Sequence, residues 1–157
     1  MAKILKASDI PAGSEAVAYI EWQNKIEEFF YAKNIEATME KNKAEVRVMG
    51  TRGTQNKATG WTGTGSMTIY YVSSVFRQMA LKYAKEGIDT YFKLVITNED
   101  KGTTIGRQTV ILYDCNIDSV VLAKMDVEAD ALDEDVDFTF ADFDIPEEFT
   151  EPSYSSN

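Results

Sequence analysis

The sequence predicts an α+β fold, mainly antiparallel β, in which a β sandwich or barrel carries one flanking amphipathic helix. Two patterns carry that expectation. Runs such as Met67-Thr68-Ile69-Tyr70-Tyr71 and Val136-Asp137-Phe138-Thr139-Phe140 alternate from residue to residue, the period of a strand. One segment shows the most complete repeat of 3.6 residues: Val72, Val75, Phe76, Met79 and Tyr83 mark one apolar face of a helix over about 73–86. At 157 residues the chain can bury a real core and is expected to be one domain, with an arm at 1–15, a β body at 16–145 and a tail at 146–157.

The elements follow in order. Pro11, Gly13 and Ser14 make the first fifteen residues an extended arm, and Ala16-Val17-Ala18-Tyr19-Ile20-Glu21-Trp22 reads as a strand. Gln23-Asn24-Lys25 is a polar turn. Ile26 to Met39 supplies one or two more strands, although Glu27-Glu28-Phe29-Phe30-Tyr31 also fits a helix. Glu40-Lys41-Asn42-Lys43-Ala44 reads as a turn or bulge, and Gly50 to Gly60, with three glycines, Arg52, Lys57 and no acid, as a long mobile loop. Such loops usually serve a function or are ordered by a partner. Trp61 to Tyr71 is a strand, and the helix follows, with Ser73 or Ser74 to cap it and Gly87 to stop it. Tyr91 to Thr97 and Gln108 to Asp114 are strands joined by a turn at Asn98-Glu99-Asp100-Lys101-Gly102. Apolar patterning resumes over Ile117 to Met125, and Asp133 to Asp144 is a strand with Val136, Phe138 and Phe140 on one face. A polar tail is expected after Pro146.

Charge and chemistry narrow the function. The net charge of −10 argues against a protein that wraps a nucleic-acid duplex. Residues 1–124 hold all 16 basic side chains and 14 acidic ones, whereas residues 125–157 hold 12 acidic side chains and no basic one. The absence of histidine removes the commonest general base and metal ligand. One cysteine, Cys115, permits no internal disulfide, and its strand context makes it a buried, inert thiol. The glycines at 60, 63 and 65 precede a strand rather than a helix, so they form no phosphate cradle, and the acids from Asp126 to Asp144 lack calcium-loop spacing. No catalytic constellation, metal site or cofactor is expected. No apolar run reaches the roughly 20 residues of a membrane span and no signal peptide is evident, so the expected place is a cytoplasm. A rival reading is a small-ligand-binding β barrel that holds an apolar molecule behind Trp22, Trp61 and the Tyr and Phe residues.

Four separated motifs are more specific. Met39-Glu40-Lys41-Asn42-Lys43-Ala44-Glu45-Val46-Arg47-Val48-Met49-Gly50, then Thr59-Gly60 with Gly63-Thr64-Gly65, Tyr113-Asp114-Cys115-Asn116-Ile117-Asp118-Ser119, and Asp137-Phe138-Thr139-Phe140-Ala141-Asp142-Phe143-Asp144 closely resemble, in register, the tail tube protein of PBSX-like prophages. This is the inner tube subunit of contractile phage tails and R-type bacteriocins. The match runs from about Glu36 to Glu147, and the first thirty-five residues match poorly. The resemblance implies subunits that join as a hexameric ring with a continuous inner β barrel, rings that stack into a tube inside a sheath, and a tube driven through the target cell envelope. The implied partners are further copies of the chain, the sheath protein, baseplate or initiator proteins and a tape-measure protein, with DNA only as passing cargo in a phage. The implied place is the bacterial host cytoplasm during assembly, then the released phage tail or bacteriocin particle. Within that frame Thr62, Thr64, Ser66 and Thr68 are candidate lumen-facing residues. Arg47, Arg52 and Lys57 are expected to meet Asp142, Asp144 and Glu147 of a neighbour between rings.

Overall fold

A computed structural model of the protein describes residues 4–29 and 31–151. After two 3-10 turns at Ala7–Asp9 and Gly13–Glu15, the elements are β1 (Ala16–Trp22), β2 (Lys25–Glu28), β3 (Ala32–Val46), β4 (Gln55–Tyr70), α1 (Val75–Glu86), β5 (Phe92–Glu99), β6 (Arg107–Ser119), β7 (Asp133–Phe140) and β8 (Asp142–Glu147). They gather into two compact units. The first comprises the described parts of Met1–Ala32, Tyr91–Cys115 and Asp142–Asn157, and the second comprises Lys33–Thr90 and Asn116–Ala141.

In the first unit the strands lie in the order β2-β1-β5-β6-β8, every pair antiparallel. Gln23 and Asn24 take positive φ of 49° and 63°, the two-residue turn whose twist suits a hairpin, so Lys25 already pairs with Trp22. The strand reading of this region holds over Lys25–Glu28, and Phe30 lies outside the described residues. Ile20, Phe29, Phe92, Leu94, Ile105, Leu112 and Cys115 form the core. Both strands run past their expected ends, since pairing persists to Glu99↔Arg107, and residues 100–106 make the connection instead of a turn that begins at Asn98. Asp100 orders it by accepting the Gly102 N–H at 2.9 Å, and the Asp9 carboxylate accepts the Thr104 N–H at 3.0 Å and its hydroxyl at 2.8 Å. That carboxyl is held below the usual range first by the Thr104 N–H and then by its hydroxyl.

The expected tail beyond Pro146 needs correction. β8 continues to Glu147, with Pro146 at an irregularity between Thr109↔Glu147 and Ile111↔Asp144, a place where a strand tolerates a residue without an N–H. The outermost tail, 152–157, and residues 1–3 of the arm lie outside the described residues.

In the second unit β4 lies between β3 and β7, and the last residues of β6 pair with β7. Met67, Ile69, Phe76, Met79, Val136, Phe138 and Phe140 are its apolar core. Helix α1 begins after Ser74 and stops at Gly87, whose φ of 70° lets its N–H donate to the Tyr83 carbonyl at 2.9 Å. The expected apolar stripe is only partly covered. Phe76 and Met79 are buried, but Val72 is 70% and Tyr83 60% exposed, because the strands of this unit cover only the middle of the stripe. Three further expectations change. Glu40–Ala44 is not a turn but part of the interior of β3, and the loop after Gly50 ends at Thr54, with β4 beginning at Gln55. The apolar pattern beyond Ile117 stops being a strand at Ser119, and Leu122 and Met125 are exposed.

Candidate functional site

The residues that matter most are those the chain leaves uncovered. Every residue from 36 to 62 is exposed, on both faces of the hairpin made by β3 and β4. At about 3.3 Å per residue the eleven residues from Glu36 to Val46 reach about 35 Å beyond the last half-buried position, Ile35. β7 covers the flank of β4 only from Gly63 onward, so between Gln55 and Thr62 that edge has no strand beside it among the described residues, and β3 has none on its outer edge. An isolated two-stranded ribbon is marginally stable in water, and an unpaired edge invites another strand. The sequence cue lies in composition: between Glu36 and Thr62 small, polar and charged side chains dominate both faces, and large apolar ones are limited to Met39, Val46, Val48, Met49 and Trp61.

Nearer its base, β4 sorts its side chains cleanly. Gly63, Met67 and Ile69 are buried and Gly65 is half-buried, while Thr62, Thr64 and Ser66 are exposed and Thr68 half-buried. The four hydroxyls therefore share one face, as expected. In register the face widens onto β7 and β6, since Thr64 pairs with Thr139, Ser66 with Asp137 and Thr68 with Asp135, while Asn116 and Ser119 pair with Thr139 and Asp137. Thr68 donates to Asp135 at 2.7 Å and Ser119 to Asp137 at 3.3 Å. The result is a wall of hydroxyls and carboxylates with no base among these paired positions. It suits a wet surface rather than a packed one. On the opposite face Gly63 and Gly65 lie under the rings of Phe140 and Phe138, and Trp61 rests against Phe140 with centroids 6.1 Å apart.

At the hairpin's tip Arg47, Met49, Thr51 and Arg52 are among the walls of a shallow cleft of about 280 Å³, and Met49 is 99% exposed. Lys57 belongs to β4 rather than to the loop in which it was expected. The acidic candidates differ in their availability. Glu147 holds Arg107 through two hydrogen bonds, one of 2.6 Å, and its carboxyl is lowered chiefly by the Arg107 hydrogen bond. Asp142 and Asp144 are exposed, and each accepts the N–H of the following residue at 2.8 Å. Trp22, which the rival reading put around a ligand, lines a cleft of about 320 Å³ in which the aromatic rings of Tyr91, Phe92 and Tyr113 are mixed with the charged Glu21, Lys93 and Asp114.

One feature escaped sequence reading altogether. Glu134, in the acidic stretch, is 2% exposed and receives Arg77 Nη1 at 2.5 Å, while Arg77 stacks 4.3 Å over the Tyr71 ring and donates to the Ser73 and Val121 carbonyls. Alternation on β7 places Glu134 on the side of Val136 and Phe138, which was the available cue. Among the described residues no group of His, Cys, Asp and Glu could hold a metal ion, and no helix is long and apolar enough to cross a membrane.

Comparison with known proteins agrees with this geometry. The chain is 42% identical over 147 residues to the Phage-like element PBSX protein XkdM of Bacillus subtilis (strain 168), covering 94% of this chain and 97% of that protein. Among solved structures it is similar to the tube-terminating cap of the anti-feeding prophage, with a TM-score of 0.65, 7% identity, and 90% of this chain and 94% of that one covered. It is also similar to a chain of the sheath-tube complex of an extracellular contractile injection system, with a TM-score of 0.59, 8% identity, and 82% and 86% covered. These two likenesses establish the fold. The family model for phage tail tube proteins matches residues 3–147, nearly the whole of the described chain, and with the identity to XkdM it makes this protein a member of the phage tail tube family, a structural protein rather than an enzyme.

Proposed function

We propose that the chain is the inner tube subunit of a contractile injection system, a phage tail or an R-type bacteriocin, that polymerises as stacked hexamers inside a sheath. The observation that carries this reading is the hairpin exposed from residue 36 to 62, beside whose two outer edges no further strand lies among the described residues. Copies arranged about an axis supply the missing partners, and strand pairing closes the edges into a cylinder. The face bearing Thr62, Thr64, Ser66 and Thr68 lines the lumen, where hydroxyls and carboxylates present hydrated walls that do not grip a polyanion. Arg47, Arg52 and Lys57 point the basic half of the stacking contact toward the next ring, and Asp142, Asp144 and Glu147 are candidate acidic partners.

Assembly takes place in the host cytoplasm, and the tube then leaves in the released particle. Baseplate or initiator proteins start it, a tape-measure protein sets its length, and contraction of the sheath drives it through the target envelope. DNA is passing cargo where the particle is a phage.

The test is to purify the chain and follow its size by sedimentation and negative-stain microscopy. Rings and tubes are expected from the intact protein. A variant whose hairpin is cut back to a short turn between residues 38 and 60 is expected to stay a folded monomer. Intact protein that remains solitary at every concentration overturns the reading.

A further inference from the structure

The segment between β6 and β7 closes on itself. Arg77 donates to the Val121 carbonyl at 3.4 Å, and Tyr71, whose ring lies under Arg77, donates its N–H to the Leu132 carbonyl at 3.0 Å. Lys124 fastens the same base by donating to the Asp133 carbonyl at 2.7 Å. A loop whose two ends are held together is a compact Ω-shaped projection rather than a slack connection. Its outer part is exposed throughout, with Met125 and Val127 each 90% exposed, and Asp126, Glu128 and Asp130 interleave with them. Among the described residues Glu128 and Asp130 make no ion pair. Large apolar side chains displayed this fully are a cost to a solitary molecule and mark a contact surface.

The hairpin tip offers the complement. Met49 and Val48 are exposed there beside Arg47 and Arg52, so it is apolar and basic where the loop is apolar and acidic. Two different, complementary patches on one chain give a heterologous contact, which propagates from copy to copy instead of closing on itself.

We propose that the 122–130 loop of one copy seats on the hairpin tip of a copy in the adjoining ring. Met125 and Val127 cover Met49 and Val48, and Glu128 and Asp130 face Arg47 and Arg52. This rests on the tube reading and names its second stacking surface. The loop takes precedence over Glu147, whose carboxylate is already engaged by Arg107, and over Asp142 and Asp144, whose exposed apolar neighbour Ile145 is 38% exposed against 90% for Met125 and Val127.

The experiment compares intact protein, the loop variant Glu128→Lys/Asp130→Lys, the tip variant Arg47→Glu/Arg52→Glu and their combination. Circular dichroism verifies folding, and sedimentation and negative-stain microscopy separate rings from tubes. Each single-sided variant is expected to form rings but to raise the critical concentration for tubes at least about tenfold, since a reversal on every copy turns attraction into repulsion around the ring. The combined variant is expected to regain tubes. Met125→Ser/Val127→Ser tests the apolar half and is expected to stop at rings. Tubes formed equally well by both loop variants overturn the inference while leaving the tube reading standing, and so does a folded loop variant that fails to make rings, because the loop then acts within a ring. Intact protein that makes neither rings nor tubes overturns the tube reading itself.

Discussion

Gly65 lies directly beneath the aromatic ring of Phe138, its partner across the β4–β7 ladder, and a Cβ placed there would overlap that ring. Gly63 stands in the same relation to Phe140, where a Cβ would come within 2.5 Å of the ring. Glycine ordinarily weakens a strand, so replacing it with alanine elsewhere is neutral or stabilising. Here the sign reverses. Gly65→Ala is expected to lower stability by about 1–3 kcal/mol through overpacking, and Gly53→Ala, with only one neighbour at 3.8 Å, to change little. Urea unfolding of the unassembled chain checks this, with Gly65→Ala/Phe138→Leu expected to recover part of the loss. Equal effects at Gly53 and Gly65 would contradict the packing account.

The Arg77–Glu134 pair is the most enclosed ionic contact among the described residues, with side chains 17% and 0% exposed. Removing one member strands the other. Arg77→Met and Glu134→Ala are each expected to cost about 3–5 kcal/mol, whereas a paired apolar replacement such as Arg77→Met/Glu134→Leu is expected to cost less than either single change. A double-mutant cycle by chemical denaturation measures the coupling. Additive losses would show that the two charges do not depend on each other.

How much of this was legible in the sequence depends on whether neighbours in the chain or neighbours in space set the outcome. The strand alternation of Val136, Phe138 and Phe140, the turn at Gln23-Asn24 and the stop at Gly87 are local and stood out. So did the shared face of Thr62, Thr64 and Ser66. Glu40–Ala44 was misread because four polar residues and an alanine with no core to face look like a turn, yet in a long ribbon they are simply both faces of a strand. The exposure of Val72, Tyr83 and Met125 was invisible for the opposite reason, since apolar periodicity announces a buried face without saying whether this chain or another molecule covers it. Glu134 was lost among the acids around it. Only the fold brings Arg77 to meet it.

The carboxylates predict how stability follows pH. Asp133, 3.0 Å from Lys33, is held below its ordinary value chiefly by the Lys33 hydrogen bond, and Glu147 by the Arg107 hydrogen bond. A depressed folded-state pKa contributes stability that is fully present above the ordinary carboxylate range of about 4 and is lost as pH falls through the lower folded value. Lys33 behaves in the mirror sense. Its pKa is raised first by the Asp133 hydrogen bond, so its contribution is present below the ordinary lysine value and disappears as pH climbs past the raised one. Unfolding midpoints are therefore expected to be flat near neutrality and to fall below about pH 4. Asp133→Asn and Glu147→Gln should each flatten the acid limb. Because these side chains are roughly two-fifths exposed, the changes should also shrink in salt. An acid limb unchanged in both variants would assign the acid sensitivity to other groups.

Cys115 supplies a clean background for testing which face of β4 lines the tube. Its thiol is fully buried, donates toward the Leu112 carbonyl at 3.6 Å, and is pushed up to about 12, first by burial. Thiolate is the reactive form, so native protein is expected to resist alkylating reagents until it is unfolded. A cysteine introduced at Thr64, in the exposed hydroxyl row, is then the only thiol that reports. In the unassembled chain it should react with a small thiosulfonate and with a polymer-linked maleimide alike. In tubes with closed ends the polymer cannot enter the bore, so labelling by the bulky reagent should be lost while the small one still reacts along the lumen. A control cysteine at Leu81, 59% exposed on α1, should keep reacting with the small reagent in bare tubes and should not track Thr64 in its size selectivity. Full labelling of the Thr64 cysteine by the bulky reagent in intact tubes would place the hydroxyl face outside.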